Sequence, residues 1–213
     1  MSVRVNFPPR TSHLEQVGVL LDLFSTVVTG RTAVYVSAPV TSGKRYAAWR
    51  SRLIPELSDR DPTYRRLHRE SVVIPNREDV RSLVEELRRG RTDVVIDPTS
   101  FGEVPGWTQD DYRYFWGRTI ERFAQTVIFV DGWEHSDGCS YEFLVAQASG
   151  ARTLKQDGTN LGLAEAIRLI AAAVEHTRDS LGRADFRENV RSELTRISGG
   201  LHKTDGQEQA VRD

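Results

Sequence analysis

Glu142 and the polar loop before it form the part of the sequence best suited to chemistry. An apolar run at residues 127–130 ends in Asp131, and a loop rich in Ser, Asp and Gly follows. A helix-like run at residues 141–149 carries Glu142 in its first turn. A carboxylate between a strand end and a helix start can take part in catalysis, and the free N–H groups beside it can hold an anion.

A purely structural role for Glu142 is the alternative. The helix dipole favours an acidic side chain in the first turn, so such a residue is common without any catalytic function. The Ser-, Asp- and Gly-rich loop after a buried strand favours the functional interpretation.

Three predicted strands end in polar residues. The first is followed by residues 37–43, the third by Asp97 and Thr99, and the fourth by residues 131–142. In a doubly wound sheet these ends converge on one crevice, which predicts a shared site. Asp97 also fits a simple turn role, because Asp commonly initiates turns. Residues 41–45 do not form a phosphate-binding P-loop, since Pro39 stands where the first glycine would be.

The order of the predicted elements indicates the fold class. Strands and helices alternate with short connections, which predicts right-handed crossovers and a parallel sheet covered on both faces. We therefore expect an α/β fold with a doubly wound, flavodoxin-like parallel sheet of four or five strands and extra terminal helices. The predicted strands are residues 33–37, 71–74, 93–97, 126–130 and 153–155, and the main helices are 12–28, 43–57, 77–89, 108–124 and 141–149.

Four regions follow from this pattern. We expect a helical extension at residues 1–30, the α/β domain at 31–156, two C-terminal helices within 157–198, and a disordered tail at 199–213. The tail is rich in Gly, Gln and charge and poor in apolar residues.

Composition limits the class of function. Lys and Arg number 29 and Asp and Glu 30, for a formal net charge of −1, which argues against a dedicated nucleic-acid binder. The single cysteine, Cys139, cannot form an internal disulfide, and no Cys/His metal spacing occurs. No signal-like start or long apolar run is present, so we expect a cytoplasmic protein with no membrane span.

Three segments within about residues 33–154 carry recognisable motifs. They are Tyr35-Val-Ser-Ala-Pro-Val, Asp131-Gly-Trp-Glu-His-Ser-Asp-Gly-Cys-Ser-Tyr-Glu142 and Ala146-Gln-Ala-Ser-Gly-Ala-Arg-Thr. These motifs resemble the nucleoside 2-deoxyribosyltransferase superfamily. The likeness is greatest to its small branches, the deoxynucleoside 5′-monophosphate N-glycosidases and proteins whose motif reads Gly-Trp-Glu-x-Ser-x-Gly.

The resemblance implies specific roles. Glu142 would be the nucleophile that attacks the anomeric carbon, Ser136 would contact a 5′-phosphate, and Gly138 matches the loop glycine. The loop at residues 37–45 would wrap the substrate. No metal or organic cofactor is implied, and a homo-oligomer is expected. Residues 12–28 and 161–197 are candidate contact surfaces, and packing against the core of the same chain is the equal alternative for these helices. The expected substrate-binding residues are Tyr35, Ser37, Ala38, Pro39, Gly43, Asp131, Trp133, Ser136 and Gly138.

The sequence departs from that superfamily at two positions. Ala38 replaces a glycine after the first strand, and Gly117 stands where an aspartate is usual. Asp110, two turns earlier on the same helical face, or Asp111 beside it could replace that acid, and so could Asp97. Equally, the acid could be missing.

The expected function is N-glycosidic bond hydrolysis or (deoxy)ribosyl transfer on a nucleoside or nucleoside 5′-monophosphate. Glu142, Asp97 and Asp110 are the candidate catalytic residues. One alternative is a non-catalytic nucleotide-binding sensor that has lost the acid. Another is an enzyme that cuts the nicotinamide–ribose bond of a dinucleotide, which needs similar carboxylate chemistry.

Overall fold

The structure, a computed structural model, describes residues 11–52, 60–181 and 185–209 and shows an α/β fold with one parallel sheet. Every neighbouring strand pair is parallel, and the order is β2-β1-β3-β4. The predicted doubly wound, flavodoxin-like class is confirmed. The strands are β1 (Ala33–Ser37), β2 (Val95–Ile96), β3 (Ala124–Phe129) and β4 (Arg152–Lys155).

Helices cover both faces of this sheet. They are α1 (Leu14–Val27), α2 (Gly43–Arg50), α3 (Pro62–His68), α4 (Ile74–Arg89), α5 (Gln109–Phe123), α6 (Asp137–Ser149), α7 (Leu163–Leu181) and α8 (Asp185–Gln209). Within the described residues, no helix combines the length and the apolar character that a bilayer span requires.

The alternation of side chains along β1 separates two cores. Ala33 and Tyr35 face a large core shared with α1, α5, α6, α7 and α8, whereas Val34 and Val36 face a smaller core with α4. Because both faces are buried, β1 reads as a continuous apolar run. Ser37 continues the alternation on the large-core side, and this places its hydroxyl on the same face as Tyr35.

The predicted strand at residues 71–74 is wrong, because this stretch is helical. A π-helical turn, Arg69–Val73, runs directly into α4, and Pro75 lies in the first turn of α4. Val72, Asn76, Val80 and Val84 are all buried at a spacing of four, which is a helical period. A short apolar run does not distinguish a strand from a buried helix. Pro75 fits the end of a strand, but proline is equally common in the first turn of a helix, where it lies here.

The start of the helix that carries Glu142 differs from the prediction. Helix α6 begins at Asp137 with Ser136 as its N-cap, so Glu142 lies in the second turn and not in the first. The first-turn dipole effect therefore does not account for Glu142. By contrast, α5 follows its N-cap Thr108, where the predicted helix at residues 108–124 begins.

The terminal predictions are settled only in part. Helix α8 continues to Gln209, so the expected disordered tail is helical through that residue. A formed helix extends across residues that could not start one, because propagation costs less than nucleation. Residues 1–10 of the N-terminal extension, residues 53–57 of the helix after β1, and residues 210–213 lie outside the described residues.

Candidate active site

Strand β1 and helix α6 place three polar side chains together at the carboxyl end of the sheet. The Tyr35 hydroxyl donates to Oε1 of Glu142 at 2.7 Å, and the Ser37 hydroxyl donates to Oε2 at 2.6 Å. Tyr35 and Ser37 are fully buried, and Glu142 is only 9% exposed. Both carboxylate oxygens are therefore fixed by donors on the rigid central strand.

Burial changes the acidity of this carboxyl group. It raises the pKa of Glu142 from 4.5 to about 7, although the hydrogen bonds from Ser37 and Tyr35 oppose the shift. Burial also raises the pKa of the neighbouring Cys139 thiol to about 12, with the Glu142 charge as the next cause. The thiol thus stays protonated at neutral pH, while the carboxyl group can exist in both forms.

Removing either hydroxyl donor is expected to raise the pKa of Glu142 further. Tyr35→Phe and Ser37→Ala each delete a hydrogen bond to the charged form, and such a bond corresponds to about one pKa unit or more. A carbon-13 NMR titration of the glutamate side-chain carboxyls measures this shift without any substrate. Ser140→Ala is the matched control, because the buried Ser140 hydroxyl does not hydrogen-bond Glu142. An unchanged Glu142 pKa in both test variants would contradict the geometry.

The loops after β1 and β3 meet, which confirms the predicted convergence. Val130 donates its N–H to the Ser37 carbonyl at 2.9 Å, next to the start of both loops. Gly132 has a φ of +84°, and a Cβ at this position would lie 2.7 Å from Cβ of Lys44. Gly43 has a φ of +87°, and its Cβ would lie 2.7 Å from the Pro39 ring. Glycine is needed at both positions for the close approach.

A cleft of about 310 Å³ opens at the same edge of the sheet, on the α4 side. Pro39 and Asp131, two of the expected substrate-binding residues, line it together with Lys44, Arg45, Ala48, Asn76, Asp79, Val80 and Val130. Glu142, Tyr35 and Ser37 do not line this cleft. We assign the chemistry to Glu142 and its two hydroxyl donors, because Glu142 has the raised pKa. The cleft is a separate opening at the same edge of the sheet.

Ser136 and Gly138 belong to the first turn of α6. The Ser136 hydroxyl accepts from the N–H of Cys139 at 3.4 Å and is buried, so it acts as the helix cap. A Cβ on Gly138 would come no nearer than 3.9 Å to the Ser136 hydroxyl, so packing does not require glycine there. Asp137 in this turn lies 3.1 Å from Arg187 and 3.9 Å from Arg113, which ties α6 to α8 and α5.

The candidate acids are engaged elsewhere. Asp97 accepts hydrogen bonds from the backbone N–H and the hydroxyl of Thr99 and from the hydroxyl of Ser100. Asp97 is thereby the N-cap of a short 3-10 turn. Asp110 is exposed and paired with Arg113 at 2.7 Å. Asp111 is buried in the capping box of α5 with Thr108. Among them, only Asp97 acts electrostatically on Tyr35.

Gly117, the position where the resemblance expects an acid, faces another side chain. A Cβ at Gly117 would lie 3.0 Å from Cε1 and 3.4 Å from the hydroxyl oxygen of Tyr141, which is itself buried. Helices α5 and α6 approach each other here, and the tyrosine ring occupies the space that an aspartate would need.

Gly117→Ala is therefore expected to destabilise the fold by about 1–3 kcal/mol through overpacking, although alanine is the better helix former. Gly18→Ala is the matched control, since Gly18 lies in the interior of α1 and its added Cβ would meet nothing within 4 Å. We expect this control to gain about 0.5–1 kcal/mol. Urea unfolding measures the change in unfolding free energy of both variants. A Gly117→Ala protein more stable than wild type would show that the Tyr141 ring moves to accommodate the added methyl group, and would contradict the prediction.

Trp133 and two residues outside the expected set complete the description of the site. Trp133 packs on Phe129 and Phe143 at 5.0 and 5.2 Å and is buried, so it belongs to the core and does not offer a stacking face. Sequence reasoning missed the proximity of Cys139 to Glu142, although their spacing of three on a helix indicates it. It also missed Asn76. The side-chain oxygen of Asn76 accepts a hydrogen bond from Arg45, and its side-chain nitrogen donates to the carbonyl groups of Val40 and Ser42.

Among the described residues, no group of three His, Cys, Asp or Glu side chains is arranged to hold a metal ion. Comparison with known proteins finds no matching family model, no matching curated protein and no matching solved structure.

Proposed function

We propose that this protein cleaves the N-glycosidic bond of a nucleoside or nucleoside 5′-monophosphate, by hydrolysis or by transfer of the (deoxy)ribosyl group, with Glu142 as nucleophile. The observation that carries the proposal is the buried carboxylate between the Tyr35 and Ser37 hydroxyls, with its pKa raised to about 7. Perturbed pKa values cluster at functional sites, and open α/β sheets bind their ligands at the carboxyl ends of the strands.

The proposed reaction has two steps. The ionised Glu142 attacks the anomeric carbon, the carbon–nitrogen bond breaks, and its electron pair leaves with the base, which takes up a proton. Water, or a second base, then attacks the anomeric carbon of the glycosyl ester and restores the carboxylate. Tyr35 and Ser37 hold the two oxygens, and a substrate that enters must displace or share one of these hydrogen bonds.

Asp97 is the better of the two candidate acids for protonating the leaving base. It is near enough to affect Tyr35 electrostatically, whereas Asp110 is exposed at the start of α5. The reaction needs no metal or organic cofactor in this scheme. We also propose a cytoplasmic homo-oligomer, and the exposed apolar side chains of α1 are consistent with the contact surface expected there. These are Leu14, Val19, Leu23 and Val27.

A nucleotide-binding sensor without activity is the second candidate. Two observations favour it. The candidate acids Asp97 and Asp110 are bound to other groups, and Tyr141 fills the space at Gly117. Incubation with nucleosides, nucleoside monophosphates and NAD, followed by chromatography for free base, separates the two. Free base supports catalysis, release from NAD alone indicates a dinucleotide glycohydrolase, and calorimetric binding without release supports the sensor.

Ser136→Ala is expected to weaken the binding of a nucleoside monophosphate while leaving that of the nucleoside unchanged. The hydroxyl that accepts from Cys139 can still donate to a phosphate at the start of α6. Loss of the cap should also cost about 1 kcal/mol of stability. Calorimetric titration of both ligands tests the role, and equal effects on the two affinities would leave Ser136 with a capping function only.

A further inference from the structure

The sequence at residues 43–73 has an excess of positive charge that the whole-chain balance conceals. It contains eight Lys and Arg residues and four Asp and Glu residues, in a chain with a formal net charge of −1. We call this stretch the arginine segment. Its basic residues are Lys44, Arg45, Arg50, Arg52, Arg60, Arg65, Arg66 and Arg69.

Several of these charges are available to a ligand. The ion pairs described within this segment are Arg45–Asp79 at 2.9 Å and Arg66–Glu70 at 3.2 Å. Arg52, Arg65 and Arg69 are exposed and have no acidic partner in the part of the chain that the structure describes. Unpaired surface arginines attract anions, and phosphate above all, because the planar guanidinium donates two parallel hydrogen bonds.

Four rings pack together where α2 meets α3 and form what we call the aromatic cluster. Tyr46 and Trp49 of α2 meet Tyr64 and His68 of α3, with ring centroids between 5.1 and 6.0 Å apart. The Arg50 guanidinium lies 5.4 Å from the Tyr64 ring centre. Tyr46 and Trp49 remain half-buried, so their rings are partly open to solvent.

The arginine segment adjoins the candidate site. Helix α2 begins at Gly43, and Lys44 packs against Gly132 in the loop that leads to α6. The start of α2 therefore lies at the carboxyl edge of the sheet.

We propose that the arginine segment binds single-stranded nucleic acid. Arg52, Arg65 and Arg69 contact the phosphates, and unpaired bases stack on Trp49 and Tyr46. Phosphate contacts combined with base-on-ring stacking distinguish a single strand from a duplex, whose bases are already stacked, and from a lipid surface, which offers charge alone. This binding goes beyond the proposed function and does not depend on it.

Fluorescence anisotropy with a labelled oligothymidylate of about 20 nucleotides, longer than typical single-strand sites, provides the test. The combined substitution Arg52→Gln, Arg65→Gln and Arg69→Gln should weaken binding at least about tenfold and reduce the salt slope by about 2, since each phosphate contact contributes about 0.7. Arg91→Gln, Arg152→Gln and Arg168→Gln together remove the same charge from exposed positions outside the segment and should leave the slope unchanged.

Trp49→Leu should weaken single-strand binding about tenfold, because one stacked base is worth about 1–3 kcal/mol. Trp107→Leu, which removes a half-buried indole that packs on Tyr112 and Phe115, is the control and should leave binding unchanged. Melting curves verify that each variant is folded. Equal affinity for single strand and duplex, equal weakening by the two triple substitutions, or binding to anionic vesicles without oligonucleotide binding would overturn the proposal.

Discussion

Glu142→Gln is expected to reduce base release about a thousandfold, which corresponds to about 4 kcal/mol of activation free energy. Glutamine keeps the shape of the side chain but carries no negative charge, so it cannot form the glycosyl ester. The Tyr35 and Ser37 hydroxyls can still hydrogen-bond the amide, and the fold should survive. The ratio of kcat/KM values, measured by chromatography of the free base, gives the loss directly.

Glu165→Gln serves as the control for this comparison. It makes the same chemical change on α7, at a partly exposed glutamate that pairs with Lys155 at 3.3 Å. It should retain the wild-type rate. Wild-type base release by a folded Glu142→Gln protein would assign Glu142 a structural role and leave the nucleophile unidentified.

The same substitution is expected to stabilise the protein at alkaline pH. The pKa of Glu142 rises from 4.5 to about 7 on folding, so the folded state binds more protons than the unfolded state between these values. Wild-type stability therefore falls as pH rises through this window, by an amount on the order of 3 kcal/mol from this group. Glutamine does not titrate, so Glu142→Gln lacks this loss.

Urea unfolding of both proteins at several pH values measures the effect. The difference in unfolding free energy between Glu142→Gln and wild type should increase from pH 4 to pH 8 and then level off, since both proteins share all other titrating groups. A difference that is independent of pH, or that decreases over this range, would show that the Glu142 carboxyl is not perturbed by burial.

The sequence was sufficient to predict the sheet and the loop that carries Glu142. Buried parallel strands read as apolar runs, and β1 and the end of β3 follow that pattern. The bounds of β1, β3 and β4 lie within one or two residues of the predicted ones. The meeting of the loops after β1 and β3 also followed from the general topology of doubly wound sheets, in which strand ends share one edge.

The sequence was not sufficient to predict an element that fits both a strand and a helix pattern, or a side-chain contact that depends on how the helices pack. The run at residues 71–74 fits a strand as well as a helix, and only the wider spacing of Val72, Val80 and Val84 reveals α4. Trp133 was expected to bind substrate because of its position in the chain, yet it fills the core. Asp97, the better candidate acid, also caps a short turn, which the sequence had offered as an alternative. The pairing of Tyr35 and Ser37 with Glu142 depends on the depth at which α6 packs, which no local pattern contains.

Capture of the covalent intermediate tests the central claim most directly. A nucleoside monophosphate whose sugar carries fluorine at the 2′ carbon slows ester hydrolysis, because the substituent destabilises the oxocarbenium-like transition state. Mass spectrometry of the digested protein should then show the glycosyl group on the peptide that contains Glu142, with one equivalent of free base released. Two results would contradict the account. One is release of base with the glycosyl group attached to a residue other than Glu142, and the other is release of base with no labelled peptide while the Glu142→Gln protein remains active.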